Sequence, residues 1–158
     1  EAREKGLVRY LGVTGHGGKT AGLHIRSLER FDFDAVMLPY NYCQMRDPRY
    51  TADFASLVEM CRKSNVALQT IKSIARRSWG SRTRTYNTYF YEPLESNDAI
   101  EKSVQWSLGL AGSFQVSAGD MRLLPRILEA ADRFEEPPSD AVMNSLVEEF
   151  HITRVFNY

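Results

Sequence analysis

The chain of 158 residues has almost no cysteine, only Cys43 and Cys61. They lie far apart and lack the close spacing of a thiolate metal site, so both are expected as reduced thiols, with Cys61 on a helix. Neither sign of charge is in excess, since 20 Lys and Arg balance 20 Asp and Glu. That excludes a partnership driven by bulk charge, with nucleic acid or with an acidic membrane surface. No apolar run is long enough to span a bilayer. The opening Glu1-Ala2-Arg3-Glu4-Lys5 is charged, unlike a secretory leader, so the expected location is cytoplasmic. There is no initiator methionine, and the first residues read as the end of a helix, which suggests a processed or truncated product. Low-complexity segments are absent.

What is present is ordinary for a globular protein, 43% hydrophobic and 25% charged, and long enough for a single domain over residues 1–158. Short apolar runs at Val8–Thr14, Ala35–Tyr40, Val66–Ile71 and Phe114–Ser117 predict strands. Their nearly continuous apolar character suits parallel strands covered on both faces. Helical periodicity marks Thr51–Ser64, with Phe54, Leu57, Val58 and Cys61 on one stripe. It also marks Asp98–Leu110, Leu123–Phe134 and Ser139–Phe150. Ser139 and Asp98 are candidate N-caps. The alternation of strand and helix predicts an α/β fold with a parallel sheet. Four such units and a terminal helix make either half of a (β/α)8 barrel or a small open sheet. Ala75–Pro93 reads as a long loop at the C-terminal end of the third strand, where barrel function tends to sit.

The run Gly12-Val13-Thr14-Gly15-His16-Gly17-Gly18-Lys19-Thr20 imitates a phosphate-binding P-loop. A P-loop needs glycine where Val13 stands, and the following strand ends in Tyr40-Asn41 without an aspartate for magnesium. The alternative is a strand-to-helix loop whose glycines give conformational freedom. His16 is a candidate general acid without a visible partner.

The same segments resemble the aldo/keto reductases. Gly6-Leu7-Val8-Arg9-Tyr10-Leu11-Gly12-Val13-Thr14-Gly15-His16 is similar to that family's fifth barrel strand. Leu28–Asn41 is similar to the sixth strand, Val66–Ser73 to the seventh, and Phe114–Asp120 with Leu123–Ala131 to the eighth and its helix. Tyr86–Pro93 resembles a loop of one bacterial branch. The resemblance implies a TIM-type barrel of which this chain is the C-terminal half, and NADP(H) or NAD(H) as cofactor. It implies reduction of a small carbonyl or oxidation of an alcohol, with the cofactor carrying hydride.

Carried over position by position, the resemblance puts Thr14, Gly15 and His16 at the nicotinamide carboxamide. Met37 replaces a usual glutamine, and Ile71 replaces a ring that stacks on the nicotinamide. Lys72 is placed for the pyrophosphate, with Ile74 and Arg76 following in the same loop. Ser117, Gly119, Asp120, Arg122 and Arg126 belong to the adenosine-phosphate loop, where a helix N-terminus and forked guanidiniums suit an anion. A solvated helix face is the alternative for the two arginines, and an N-cap for Asp120. Arg77, Arg82 and Arg84 extend the basic cluster in the insertion. The family's Asp, Tyr, Lys and His tetrad lies in the first half of the barrel, so no catalytic residue is assigned here. The implied partner is a companion N-terminal half barrel or a second copy of the chain. A non-catalytic half barrel and a P-loop nucleotidase are the competing readings.

Overall fold

The computed structural model describes residues 1–158 as a mixed α/β structure. Its centre is a parallel sheet of β1 (Gly12–Thr14), β2 (Ala35–Pro39), β3 (Ala67–Ile71) and β6 (Ser113–Gln115), in that spatial order. The register runs Val13–Val36–Leu68–Ser113 in one row and Thr14–Met37–Gln69–Phe114 in the next. Strands therefore add to the sheet in chain order, with a helical crossover between neighbours.

The helices are α1 (Thr20–Arg30), the short α2 (Tyr42–Met45), α3 (Pro48–Ser64), α4 (Asn97–Leu108), α5 (Leu124–Asp132) and α6 (Asp140–Glu149). Helix α3 shows how local sequence sets its limits. Asp47 caps it by accepting from the Arg49 and Tyr50 amides at 3.0 and 3.3 Å, and Pro48 takes the first turn. Asn65 ends it in the left-handed region at φ 55°. Tyr50, Phe54, Leu57 and Cys61 form its buried stripe. The apolar periodicity alone had placed its start at Thr51; the cap and proline add the first turn. Ser139 caps α6, as expected. Asp98 does not cap α4, because Ser96 holds that position and Asp98 pairs with Lys102 at 2.6 Å within the helix.

The core has two apolar clusters. One packs Val36, Leu38 and Leu68 of the sheet against Tyr50, Phe54 and Leu57 of α3. The other joins Ile74, Tyr91, Leu94, Ile100, Val104, Leu123, Ile127, Met143 and Leu146. Trp106 touches both, and its ring stacks on Tyr40 at 4.8 Å. Both cysteines are buried and unpaired.

The sheet is covered on one face only, which corrects the expectation of burial on both. Val36, Leu38 and Thr70 are fully buried, whereas Thr14 is exposed, Met37 and Gln69 are half-buried, and Phe114 is 64% exposed. The physical reason is the strand order. Successive crossovers in one direction bring α1, α3 and α4 to the same side, and nothing in the chain returns across the other. The first strand is also shorter than its apolar run, since Val8 and Tyr10 stay exposed and pair with nothing. Ala75–Pro93 is not simply a loop. Its ends pair as an antiparallel hairpin, β4 (Ala75–Ser78) with β5 (Tyr91–Pro93). No helix is long and apolar enough to cross a membrane.

Candidate functional site

Parallel strands deliver side chains to their C-terminal ends, and the loops there assemble a cluster around Lys72. β3 ends at Ile71, and Lys72 follows in the left-handed region at φ 70°. Its carbonyl accepts from Asn41 Nδ2 and from the Ala75 amide, both at 3.2 Å, which holds this unfavourable backbone in place. The Nζ lies 3.2 Å from His16 Nδ1, in the loop after β1. Aromatic rings surround it, with Phe90 at 4.8 Å, Phe156 at 5.7 Å and Tyr91 at 5.9 Å. Lys72 is 7% exposed and has no carboxylate partner. Burial pushes its ammonium down to about 8. His16 is lowered by burial and then by the Lys72 charge. The imidazole is exposed and stacks at 4.5 Å on Phe90, so it forms the outer side of the cluster.

The other positions that the resemblance implies for a nicotinamide lie on β1, β2 and β3 and the loops that follow them. Thr14 is exposed at the end of β1, and Gly15 donates its amide to the Met37 carbonyl at 3.1 Å. A side chain at Gly15 would run into Thr20 Cγ2, 2.6 Å from where a Cβ would stand. Glycine is thus required by packing against α1, whatever else it does. Met37 points to the bare face of the sheet. Ile71 is buried at the end of β3, and Ile74 sits within the second core cluster, which accounts for Ile74 as a packing residue.

The adenosine-phosphate positions form a separate group. Asp120 is buried and accepts from the Asn87 amide at 2.8 Å, the Arg122 amide at 3.0 Å and the Arg122 guanidinium at 2.7 Å. The Arg122 hydrogen bonds, then the Asn87 amide, hold its carboxyl far below the usual range. Asp120 therefore anchors a loop rather than capping α5, whose start is preceded by Leu123. Arg122 also donates to the Thr85 carbonyl at 2.6 Å and lies over Tyr86. Arg126 donates to the Glu95 carbonyl at 2.8 Å. Both guanidiniums are thus already engaged. Gly119 and Ser117 are exposed, and no polar contact forms at the Ser117 side chain. The segment between β4 and β5 links the two groups, since Asn87 meets Asp120 while Phe90 meets His16.

Sequence reasoning missed one element of this end of the molecule and left a second open. Glu92 on β5 gathers the basic insertion, accepting from Arg77 at 2.8 and 2.9 Å and from Arg76 at 3.0 Å, with Arg82 at 4.0 Å. The Arg77 hydrogen bonds lower its carboxyl below the usual range. One acid among several arginines was a visible signal for this cluster. The second element is the segment after α6. Arg76 donates to the Phe150 carbonyl at 2.8 Å, and Thr153 donates back to the Arg76 carbonyl at 2.8 Å. Arg154 pairs with Asp47, Phe156 packs on Phe90, and Tyr158 donates to Asp53 at 3.1 Å. Its Asn157 carbonyl sits over Gly18, 2.1 Å from where a Cβ would stand. By sequence His151–Tyr158 reads as either a tail or a final covering segment, and the structure shows it covering this end of the molecule. That backbone covers Gly18 of the P-loop-like run, and Lys19 leans towards the Tyr158 ring. No cluster of histidine, cysteine, aspartate and glutamate offers a metal site.

Compared with known proteins, the chain matches no family model, no curated protein and no solved structure.

Proposed function

We propose that this chain is the cofactor-binding half of an NAD(P)H-dependent oxidoreductase of the aldo/keto reductase type, acting on a small carbonyl or alcohol. The observation that carries the proposal is the strand order β1-β2-β3-β6 with helices on one face. A doubly wound sheet reverses its order and places helices on both faces. Unreversed βα units leave one face bare and both edges unpaired, as four consecutive units of a (β/α)8 barrel do before closure. The apolar residues on the bare face, Ala35, Met37 and Phe114, are explained if a companion half covers them.

The side chains suit part of a dinucleotide. Thr14 offers an unengaged hydroxyl at the nicotinamide end, and Lys72 a cation without a carboxylate for the pyrophosphate. The 2′-phosphate is less well served, because Arg122 is neutralised by Asp120 and Arg126 is tied to Glu95. That balance favours NAD(H) over NADP(H) more than the sequence did. The cofactor, when bound, supplies hydride. This chain orients it and supplies no proton donor, a role left to the companion half.

Titration of NADH and NADPH, followed by nicotinamide fluorescence, tests the reading. Saturable binding is expected, several-fold weaker in Lys72→Met, with NADH at least equal to NADPH. A flat titration with both nucleotides overturns it. The alternative of a non-catalytic half barrel closed by a second copy is favoured by the same open edges, since β6 of one copy can pair with β1 of another. A sedimentation mass of a dimer that binds no nucleotide would select it.

A further inference from the structure

The Lys72 cluster carries a second possibility that does not depend on nucleotide binding. We infer that Lys72 is a nucleophilic amine that condenses with small apolar or aromatic aldehydes to form an imine.

The argument begins with what the position costs. A buried ammonium without a carboxylate is unfavourable, and a left-handed backbone in a residue with a Cβ adds strain. A leucine or methionine would fill the same apolar space without the desolvation. Only the lysine places a primary amine at the C-terminal ends of the strands, among Phe90, Tyr91 and Phe156 and against His16. Such desolvation is a known way to keep a lysine unprotonated enough to attack a carbonyl. The titratable groups that face it are His16 and the Tyr91 phenol. Burial drives the Tyr91 phenol upwards, so it stays neutral, and His16 lies on the exposed side.

The chemistry balances without any further reactant. The amine lone pair attacks the carbonyl carbon, and the carbonyl electron pair moves to oxygen, which takes a proton. That proton comes from the nitrogen, giving the carbinolamine; the nitrogen's second proton then goes to the hydroxyl, which leaves as water, and a carbon–nitrogen double bond remains. His16, 3.2 Å from the nitrogen, is placed to relay those protons from nitrogen to oxygen. The rings of Phe90 and Phe156, 4.8 and 5.7 Å from Nζ, favour an aldehyde with an apolar or aromatic body over a charged one, reaching the amine from the exposed His16 side.

The test is imine trapping on the full chain without nucleotide. Benzaldehyde and sodium cyanoborohydride are added across a pH series, and peptide mass mapping measures the benzyl adduct at each lysine. Lys72 is expected to label at least about tenfold faster than exposed lysines such as Lys5 and Lys63. Its rate should reach half its maximum near pH 8. Lys72→Arg keeps the cation and must lose the fast site while the other lysines label as before. Labelling of Lys72 no faster than the exposed lysines overturns the inference. Fast labelling with no NADH binding would leave it standing while removing the cofactor reading, and the reverse pair of results would do the opposite.

Discussion

The two faces of the four-stranded sheet both carry apolar residues and have opposite fates. Towards the helices, Val36, Leu38, Leu68 and Thr70 are buried beneath α1 and α3. Away from them, Thr14, Met37, Gln69 and Phe114 lie in one row with nothing above. The difference follows the topology. Helices reach only the side to which the crossovers turn, and the apolar residues on the other side, Met37 and Phe114, stay half-buried or exposed. Hydrophobicity in a parallel strand thus reports that both faces are meant to be covered, not that one chain covers them.

The largest test of this contrast is Leu38→Ala, which opens a cavity in the covered face. It should cost about 3 kcal/mol in a urea melt, the middle of the range for such truncations. A loss below about 1 kcal/mol would mean that this face is less tightly packed than its burial implies. Next comes Lys72, at the boundary between the covered region and the site. Its folded value near 8 lies below the ordinary lysine value of about 10.4 in the unfolded chain, so the folded state binds fewer protons between them. The stability of the wild type should therefore rise as pH increases from about 8 to about 10.4, and below that window the full penalty applies. Lys72→Met should be about 2 kcal/mol more stable than the wild type at pH 7, with a flatter pH profile, allowing for the lost ring contacts. A variant that is less stable at pH 7 would mean that those contacts outweigh desolvation. The smallest effect belongs to the bare face. Phe114→Ser should change stability by less than about 0.5 kcal/mol in this chain, since the ring is largely exposed. A larger loss would show that the face is occupied, most directly by self-association, and should then grow with protein concentration.

Much of this architecture was legible in advance. Ala35–Pro39 and Ala67–Ile71 were visible as apolar runs because their neighbours in the sheet demand burial on at least one side. Helices α3 to α6 followed from periodicity, and Ser139 from capping. The hairpin was not legible. Arg76, Arg77 and Ser78 have no strand-like alternation, and β4 exists because Glu92 on β5 holds its arginines. The site was readable only as a set of positions. Sequence brought Thr14, His16 and Lys72 to strand ends, yet it could not show that Lys72 would be walled in by Phe156 from the far end of the chain. It also gave no hint that Arg122 would turn back onto Asp120 two residues away, because that depends on Asn87 drawing the carboxylate inward.

The outer strands β1 and β6 each span three residues, against five in β2 and β3. A free strand edge is ordinarily a seed for fibril growth, because every unpaired amide and carbonyl can recruit another chain. Edges this brief present too few such groups to hold a stray polypeptide in register. A designed partner strand meant to cap either side would need its grip from side chains, with Phe114 the obvious handhold, and not from its backbone.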